Sequence, residues 1–342
     1  MRPSSSTTRA IVPLESEPHR RTWMAWPSSR EIWGGLLPGI QRDIALVAST
    51  VARFEPVVMC ANPDDVEHAS TMCGRPVEVI GDVPVGDCWM RDSGPIFRID
   101  GDGALSAVGL NFNGWGDRQA HERDARVAEF IAALGDTPFT TAALVAEGGA
   151  VDTDGDGTLM ATESSVINDN RNPGRSKAEL EAALCEAYGA DDLIWVPGLR
   201  DRDITDDHID ATSRFIRPGV VMVQVPPEAR TDVWAEDARQ QRQVVSRARD
   251  ARGRRLEVLG LDGPTTVRSD SPDFLDSYAN FYTPNGAVIT AEFGDAEADR
   301  AAAGVLADAF PGRQVVQLNV DRLHGGGGGI HCVTQQEPVD RP

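Results

Sequence analysis

The sequence has few basic residues and no long apolar run. It contains 33 Lys and Arg residues against 53 Asp and Glu residues, a net charge of −20 in 342 residues. This balance disfavours nucleic acid and anionic membranes as partners, because both are bound through clusters of positive charge. No apolar run approaches the ~20 residues that a helix needs to cross a membrane. We therefore expect neither partner, and an acidic protein of this kind would attract a cationic substrate.

The cysteines lack the spacing of a disulfide framework or of a structural metal site. There are five, an odd number, and no Cys-x-x-Cys pair occurs among Cys60, Cys73, Cys88, Cys185 and Cys332. A reducing cytoplasm is therefore the expected location. His324, His331 and Cys332 lie close in sequence, but they lack the second spaced pair of ligands that a structural zinc site has. No metal is predicted.

A run of glycines, Gly325 to Gly329, leads into Ile330, His331 and Cys332. No Gly-Lys-Ser/Thr follows the glycines, which excludes a P-loop. Glycines permit a ligand to approach the backbone closely, and the β-branched residues around the cysteine predict a strand. We interpret Cys332 as a thiol at a pocket wall and as a candidate nucleophile, with an inert buried cysteine as the alternative.

A cysteine nucleophile needs a partner for proton transfer, and only six histidines are present. His19, His68 and His121 lie in polar or helix-like surroundings and are predicted to be surface residues. His208 differs, because it lies in the segment Thr205-Asp206-Asp207-His208-Ile209-Asp210 just before a predicted strand. Carboxylates so close to one imidazole are electrostatically costly unless a cation binds there. A solvated acidic turn remains the alternative for this segment.

Two further acidic segments stand beside aromatic residues and glycines. The first runs from Asp87 through Trp89 and Asp92 to Pro95. The second is Glu147-Gly148-Gly149, which follows the apolar stretch Ala142 to Ala146 and is expected at the end of a strand. A thiol, an imidazole, several carboxylates and an indole wall together suit a planar cation, because carboxylates pair bidentately with guanidinium and indole faces attract its charge.

Taken together, the motifs resemble the agmatine deiminase and Porphyromonas-type peptidylarginine deiminase group of the guanidine-modifying superfamily. The resemblance covers nearly the whole chain. Its motifs are Thr22-Trp23-Met24-Ala25-Trp26-Pro27, Trp89 to Pro95, Asn111-Phe112-Asn113-Gly114-Trp115-Gly116, Glu147-Gly148-Gly149, Asn170-Arg171-Asn172-Pro173, Asp206 to Asp210, Asn280-Phe281-Tyr282, and Gly326 to Gln336.

The resemblance implies an α/β fold of the penteine type, a propeller of five pseudo-repeats around a central active-site pocket. It also implies hydrolysis of agmatine to N-carbamoylputrescine and ammonia, in putrescine synthesis, by a cysteine-dependent enzyme without metal or organic cofactor. The expected assembly is a homodimer. One domain is expected over residues 11–340, after a disordered N-terminus over residues 1–10.

The same resemblance assigns roles to individual residues. Cys332 is the expected nucleophile, His208 the proton shuttle and Glu147 its hydrogen-bonded partner, while Asp92 and Asp210 grip the guanidinium nitrogens. The further expected substrate contacts are Trp89, Asp87, Asn280, Asp207 and Trp115. Asp207 occupies a position where the family usually has glycine, and its added charge is expected to raise the pKa of His208 or to help bind the distal amine.

Two alternative functions remain open from the sequence. The first is a deiminase of arginine or of peptidyl-arginine, whose substrates would need a cationic clamp at the pocket mouth. The segment from Ile99 to Asp117 contains no Arg or Lys, which favours agmatine. The second is a calcium-binding module, because Asp152, Asp154, Asp156, Gly157 and Glu163 match an EF-hand loop. Strand-like residues around this loop favour a β-hairpin instead.

The hydrophobic pattern predicts alternating strands and helices with no long linker. Strands are predicted at Pro56 to Met59, Val77 to Ile80, Leu105 to Leu110, Leu159 to Thr162, Leu193 to Val196, Val220 to Val225, Leu256 to Leu259, Ala287 to Thr290 and Val315 to Leu318. Helices are predicted at Ile40 to Phe54, Arg118 to Leu134, Lys177 to Ala187, Thr231 to Ala251 and Asp295 to Phe310.

Overall fold

A computed structural model describes residues 9–340 as a mixed α/β protein. The disorder predicted for residues 1–10 falls mostly on residues 1–8, which lie outside the described residues. The strands are β1 (His19–Ala25), β2 (Val57–Cys60), β3 (Val77–Ile80), β4 (Ile96–Ile99), β5 (Leu105–Gly109), β6 (Phe139–Thr141), β7 (Val151–Thr153), β8 (Thr158–Thr162), β9 (Asp192–Val196), β10 (Ser213–Arg217), β11 (Val220–Val225), β12 (Glu257–Asp262), β13 (Ala287–Ala291), β14 (Gln314–Leu318) and β15 (Gln335–Pro338).

Helices lie between the strands. They are α1 (Arg30–Trp33), α2 (Leu37–Val51), α3 (Val66–Cys73), α4 (Met90–Ser93), α5 (Gly114–Asp117), α6 (Val127–Leu134), α7 (Glu163–Val166), α8 (Lys177–Tyr188), α9 (Val233–Arg247), α10 (Ala296–Ala309) and α11 (Asp321–His324). None of the helices in residues 9–340 combines the length and the apolar composition needed to traverse a lipid bilayer.

The strands of the described chain form five separate sheets with a common pattern. In β4-β5-β6, β7-β8-β9 and β10-β11-β12, an antiparallel pair is followed by a third, parallel strand. The sheet β15-β1-β2-β3 repeats this order with one more parallel strand. In the fifth sheet β13 and β14 are parallel, and an antiparallel bridge from Tyr282 to Ile289 replaces the first strand.

The parallel strand pairs are joined by amphipathic helices, as crossover connections require. Helix α2, between β1 and β2, buries Ile40, Ile44, Val47 and Val51 at helical spacing. Helix α8, between β8 and β9, starts at a capping box formed by Ser176 and Glu179. These helices cover the sheets, so the residues at the strand ends and in the loops are free to form a site.

The nine strands predicted from short apolar runs and most predicted helices are confirmed to within a few residues. The helix predicted from Arg118 is wrong in its first half, since α6 begins at Val127. There the Arg118 guanidinium instead donates to the backbone oxygens of Asp203 and Ile204, at 3.0 and 2.9 Å, and the chain turns to allow this.

The strand predicted at Ala142 to Ala146 is also wrong, because β6 ends at Thr141. Asn111 takes a positive φ of 58°, which turns the partner strand away after Gly109. Its side-chain amide then donates to the oxygens of Ala142 and Leu144, each at 2.8 Å. Glu147 is therefore held at the end of an irregular loop rather than at the end of a strand.

Residues around Cys332 form a turn and not the predicted strand, and β15 begins only at Gln335. The surface position predicted for His19 is likewise wrong. His19 is only 5% exposed, and its Nδ1 lies 3.0 Å from Glu55 Oε1. A buried carboxylate partner offsets the cost of removing the imidazole from water.

The EF-hand-like segment is an antiparallel hairpin, β7 with β8, as the strand-like residues predicted. Asp152 accepts the backbone N–H of Phe215 at 2.5 Å and pairs with Arg214 at 3.3 Å. Asp154 Oδ1 accepts the N–H groups of Asp156 and Thr158, both at 2.8 Å. Asp152 and one oxygen of Asp154, which calcium would need, are thus already used within the protein.

Candidate active site

A cavity of about 250 Å³ lies where loops from several sheets meet. Its wall combines carboxylates, indoles, one imidazole and one thiol, supplied by Asp87, Asp92, Asp203, Asp210, Trp33, Trp89, Trp115, His208 and Cys332. The segments that carry them are short helices and turns before or after strands, so each side chain is placed by a strand end.

Cys332 reaches this cavity from the turn that precedes β15. Its Sγ lies 3.3 Å from Asn280 Nδ2, which donates to it, and 3.6 Å from Asp210 Oδ2. The turn is fixed on both sides, because the Cys332 carbonyl accepts the N–H of Arg91 at 3.0 Å and the His331 N–H donates to Asn280 Oδ1 at 3.0 Å. The thiol therefore has a defined position at the cavity wall.

The preceding glycines are required by close packing. A Cβ at Gly329 would stand 2.5 Å from Asn280 Oδ1, and one at Gly328 would overlap the Trp89 indole. Such contacts are shorter than real side chains make. The glycine run thus lets the nucleophile loop lie directly against the residues that contact the thiol and the aromatic wall.

Asp92 and Asp210 are the two buried carboxylates beside the thiol. Asp92 accepts hydrogen bonds from the Gly149 N–H at 2.9 Å and from Trp115 Nε1 at 3.0 Å. Trp115 adopts a φ of 56°, rare for a bulky side chain, and thereby directs its indole to Asp92. Asp210 Oδ2 accepts from His331 Nδ1 at 2.7 Å. Both carboxylates are fixed in orientation.

His208 lies between two carboxylates. Its Nε2 is 3.3 Å from Glu147 Oε2, and its Nδ1 is 3.8 Å from Asp92 Oδ1. Burial lowers the pKa of His208, but the charges of Asp92, Glu147 and Asp210 outweigh burial and raise its pKa to about 9. The imidazole is therefore protonated at neutral pH and can donate a proton.

For the thiol of Cys332, unlike the imidazole of His208, burial and the nearby carboxylates shift the pKa in the same direction. Burial raises its pKa well above the ordinary value, and the charges of Asp210 and Asp92 raise it further. A cation bound between those carboxylates would reverse their effect on the sulfur and favour the thiolate. The charges of the cavity thus suit a positively charged ligand, which would help to form the thiolate of Cys332.

Comparison with known proteins agrees with this arrangement. The profile of the Porphyromonas-type peptidyl-arginine deiminase family matches residues 11–338. The chain belongs to that family. A relative from Streptomyces coelicolor is 39% identical, with 96% of this chain and 98% of the relative covered. The agmatine deiminase of Stutzerimonas stutzeri is 36% identical, covering 96% and 95%.

A solved structure of the agmatine deiminase of Enterococcus faecalis has a TM-score of 0.91 and 29% identity, and the match covers 98% of this chain and 99% of that chain. The predicted family resemblance is confirmed. The protein is an enzyme of this deiminase type, and its mixed α/β fold is the fold of those relatives.

The deiminase places most of the predicted site residues around its cavity. Cys332, His208, Asp92, Asp210, Asp87, Trp89 and Trp115 line it. Asn280 contacts the thiol, and Glu147, fully buried, contacts His208 from behind. Asp87 accepts from Trp33 Nε1 at 2.7 Å and from Gln119 Nε2 at 3.1 Å. Trp33 and Trp89 have ring centroids 6.0 Å apart and form one aromatic wall.

Asp207 is the exception, since it does not line the cavity that holds Cys332. Its φ of 70° turns its side chain the other way, to accept the Leu199 N–H at 3.2 Å and Gln241 Nε2 at 3.3 Å. Burial and the neighbouring carboxyl of Asp237 raise its pKa well above the ordinary value. The leading charges that raise the pKa of His208 are those of Asp92, Glu147 and Asp210, and Asp207 is not among them.

Several residues of the deiminase site were not predicted from the sequence. Arg171 pairs with Glu147, with Nε 2.8 Å from Oε1, and with Asp206, with Nη1 2.7 Å from Oδ2. Burial raises the pKa of Glu147, but Arg171 and His208 together hold that pKa below its ordinary value. Asp203 and Trp33 also reach the cavity. For Arg171 a signal existed, because it lies in the family-like segment Asn170 to Pro173.

Proposed function

We propose that this deiminase hydrolyses agmatine to N-carbamoylputrescine and ammonia through a covalent intermediate on Cys332. The observation that carries the proposal is the convergence of the Cys332 thiol, the His208 imidazole and the paired carboxylates Asp92 and Asp210 on one cavity. Relatives at 34 to 36% identity over nearly the whole chain are named agmatine deiminases.

The charges of the cavity support a dicationic substrate without a carboxylate. Its lining carboxylates are Asp87, Asp92, Asp203 and Asp210, and the described residues that line it include no Arg or Lys. An arginine carboxylate would find no Arg or Lys side chain to bind there, whereas the ammonium of agmatine would lie among carboxylates. The guanidinium group would bind at Asp92 and Asp210, against the indole wall.

In the first half-reaction the thiol loses its proton to solvent as the guanidinium binds, and this is the net proton that the reaction releases. The thiolate attacks the guanidinium carbon and forms a C–S bond, which gives a neutral tetrahedral adduct. His208 then donates its proton to one amino group, the C–N bond breaks, and ammonia leaves. A cationic amidino-cysteine remains, and His208 is neutral. Asp92 and Asp210 face positive charge in the bound guanidinium and again in the amidino-cysteine.

In the second half-reaction water adds to the amidino carbon. Neutral His208 takes a proton from this water and is restored to its charged form. The second tetrahedral adduct collapses, the C–S bond breaks, and the hydroxyl becomes the carbonyl of the ureido product as its proton passes to the sulfur. Glu147 keeps the imidazole oriented and stabilises its charged state in both halves.

We also propose that the five sheets are the blades of a penteine propeller with five-fold pseudosymmetry around this cavity. The support is their repeated pattern, an antiparallel strand or bridge followed by parallel strands, five times along the chain. A cytoplasmic homodimer acting in putrescine synthesis completes the proposal. All five cysteines are free, which suits a reducing compartment.

The test is ammonia release from agmatine, arginine and a blocked arginyl peptide, each with excess chelator. We expect turnover of agmatine alone, and loss of turnover in Cys332→Ala with an unchanged melting curve. Cys185→Ala removes another incompletely buried thiol, outside the cavity, and is the matched control with normal turnover. Preference for arginine would overturn the substrate, and turnover by Cys332→Ala would overturn the mechanism.

A further inference from the structure

His331, the neighbour of the nucleophile, bridges two carboxylates. Its Nδ1 lies 2.7 Å from Asp210 Oδ2, and its Nε2 lies 2.8 Å from Glu15 Oε2. The His331 side chain is only 4% exposed. Ionised carboxylates only accept hydrogen bonds, so both ring nitrogens must donate. The ring is therefore an imidazolium, fixed between one carboxylate of the cavity and one from the N-terminal segment.

Both partners of this imidazole are held in the ionised form. Burial raises the pKa of Glu15, but Arg214, His331 and Arg91 hold that pKa well below the ordinary value. Burial also raises the pKa of Asp210, but other interactions bring it below the ordinary value, and the hydrogen bond from His331 is the largest of them. The order carboxylate, imidazolium, carboxylate follows from geometry and charge together.

We propose that His331 is a positioning residue of this deiminase, a charged imidazolium that keeps Asp210 ionised and aligned for the guanidinium, and that Glu15 keeps His331 charged. The inference rests on the proposed function, since it concerns the carboxylate that would bind the substrate. It adds two residues to the site for which the preceding mechanism has no role.

Glu15 is itself rigidly held. Its Oε2 lies 2.8 Å from Arg214 Nη2 and 3.3 Å from Arg91 Nη2, while its Oε1 accepts the N–H of Thr283 at 3.0 Å and its hydroxyl at 2.9 Å. Arg214 also pairs with Asp152. A carboxylate with four donors has little freedom to move, so it fixes the imidazole from the side opposite Asp210.

His331 acts through Asp210 and not by touching the substrate. It does not line the 250 Å³ cavity. On its other side lies a separate void of about 30 Å³, next to Glu15, Arg91 and Asp152, which has room for water but not for a guanidine. Of Glu15, His331 and Asp210, only Asp210 lines the cavity.

Loss of the imidazolium charge would change how Asp210 titrates. The anionic group facing Asp210 from the cavity side is Asp92, and the cation there is His208. Arg214 and Arg91 act from the side of Glu15. Without the positive charge of His331, the remaining negative charge nearby raises the pKa of Asp210. A protonated Asp210 binds a guanidinium weakly.

The test compares His331→Asn and Glu15→Gln with the wild type over a pH series. For His331→Asn we expect the KM for agmatine to rise about tenfold or more at neutral pH with a smaller change in kcat. The ratio to the wild-type KM should fall as pH rises and Asp210 ionises. For Glu15→Gln we expect a smaller rise of the KM in the same direction, because the ring then keeps one carboxylate partner in place of two.

A second readout does not need turnover. Cys332 is alkylated with chloroacetamidine, which carries a cationic amidinium, and with its neutral counterpart chloroacetamide, and labelling is located by mass spectrometry. The wild type should prefer the amidine, and His331→Asn should lose about tenfold or more of that preference at neutral pH. If His331→Asn does not fold, the KM and the alkylation preference of Glu15→Gln decide the question.

If the folded variants have the same KM and the same alkylation preference as the wild type, the proposal is overturned. Equal losses with both reagents, accompanied by a lower melting temperature, would show a merely structural role and overturn it as well. A wild type that prefers the amidine but turns over no guanidine would refute the proposed function while leaving the positioning role in place.

Discussion

Arg171 and Glu147 form an ion pair in which neither side chain is exposed to solvent. Arg171 also donates to the carbonyl of Thr205 at 2.9 Å and to Asp206, and so joins the loop of the glutamate to the loop of His208. Since Glu147 stands behind the imidazole, this arginine supports His208 without reaching the cavity.

Replacing Arg171 by Met should destabilise the protein strongly. It leaves the Glu147 carboxylate buried with His208 as its remaining charged partner, and breaking a buried pair in this way costs about 3–5 kcal/mol. Urea denaturation measures the change. Lys177→Met is the matched control, because its pair with Glu163 is 46% and 48% exposed, and its loss should cost about 1 kcal/mol or less. Equal effects of the two changes would contradict the prediction.

Glu147→Gln should shift the alkaline limb of the pH profile. The Glu147 carboxylate is among the groups that raise the pKa of His208 from 6.5 to about 9, so its neutralisation lowers that pKa. The proton donor is then lost at lower pH. We expect kcat/KM at about pH 8.5 to fall by about tenfold or more, with a smaller fall near about pH 6. An alkaline limb in the wild-type position would show that Glu147 does not set the His208 charge.

Gly149→Ala should impair activity more than stability. A Cβ there would stand 2.7 Å from His208 Nδ1, 2.9 Å from Asp92 Oδ1 and 3.0 Å from Asp210 Oδ2. All three groups must shift, and displacement by about 1 Å can cost about a hundredfold in rate. The control is Gly304→Ala in α10, where an added Cβ would meet no atom within 4 Å apart from the backbone of its own helix. There we expect the free energy of unfolding to rise by about 0.5–1 kcal/mol. A fully active Gly149→Ala would contradict the site geometry.

Asp207→Gly should change stability in a pH-dependent way. The folded-state pKa of Asp207 is raised above 3.8, so its protonated form stabilises the fold below the unfolded-state pKa, and this contribution is lost as pH rises. Removing the carboxyl should therefore help more at about pH 8 than at about pH 5, and glycine also relieves the positive φ at this position. Melting curves at both pH values measure this, with agmatine turnover expected near wild type. A variant that is relatively more stable at the lower pH would refute the sign.

Calcium should leave the melting temperature unchanged. The carboxylates of the EF-hand-like hairpin already bind Arg214, the Phe215 N–H and the backbone of their own turn. Asp156 pairs with Arg254 at 2.8 Å. Differential scanning fluorimetry with calcium and with chelator decides this, and a stabilisation that saturates with calcium would restore the calcium-binding alternative.

The sequence predicted residues whose chemistry is visible locally. Cys332 after its glycines and His208 among its carboxylates both stand in segments of unusual composition, and the strands follow from short apolar runs. What it did not predict depends on distant partners. His19 is buried because Glu55 binds it, and Glu15 gains its place from His331, 316 positions further along the chain. Asp207 points away because of its φ, which no local pattern revealed.

The sheet β15-β1-β2-β3 joins the first and last strands of the described chain, and Trp23 Nε1 donates to Glu337 across 314 positions. The nucleophile turn leads directly into β15, so Cys332 gains its place only when that strand pairs with β1. During synthesis on the ribosome β1 emerges first and must wait for nearly the entire chain, and a topology with such distant contacts folds slowly. We therefore expect Cys332 to reach its place at the cavity only after β15 has been made, and until then the unpaired edge of β1 is open to aggregation.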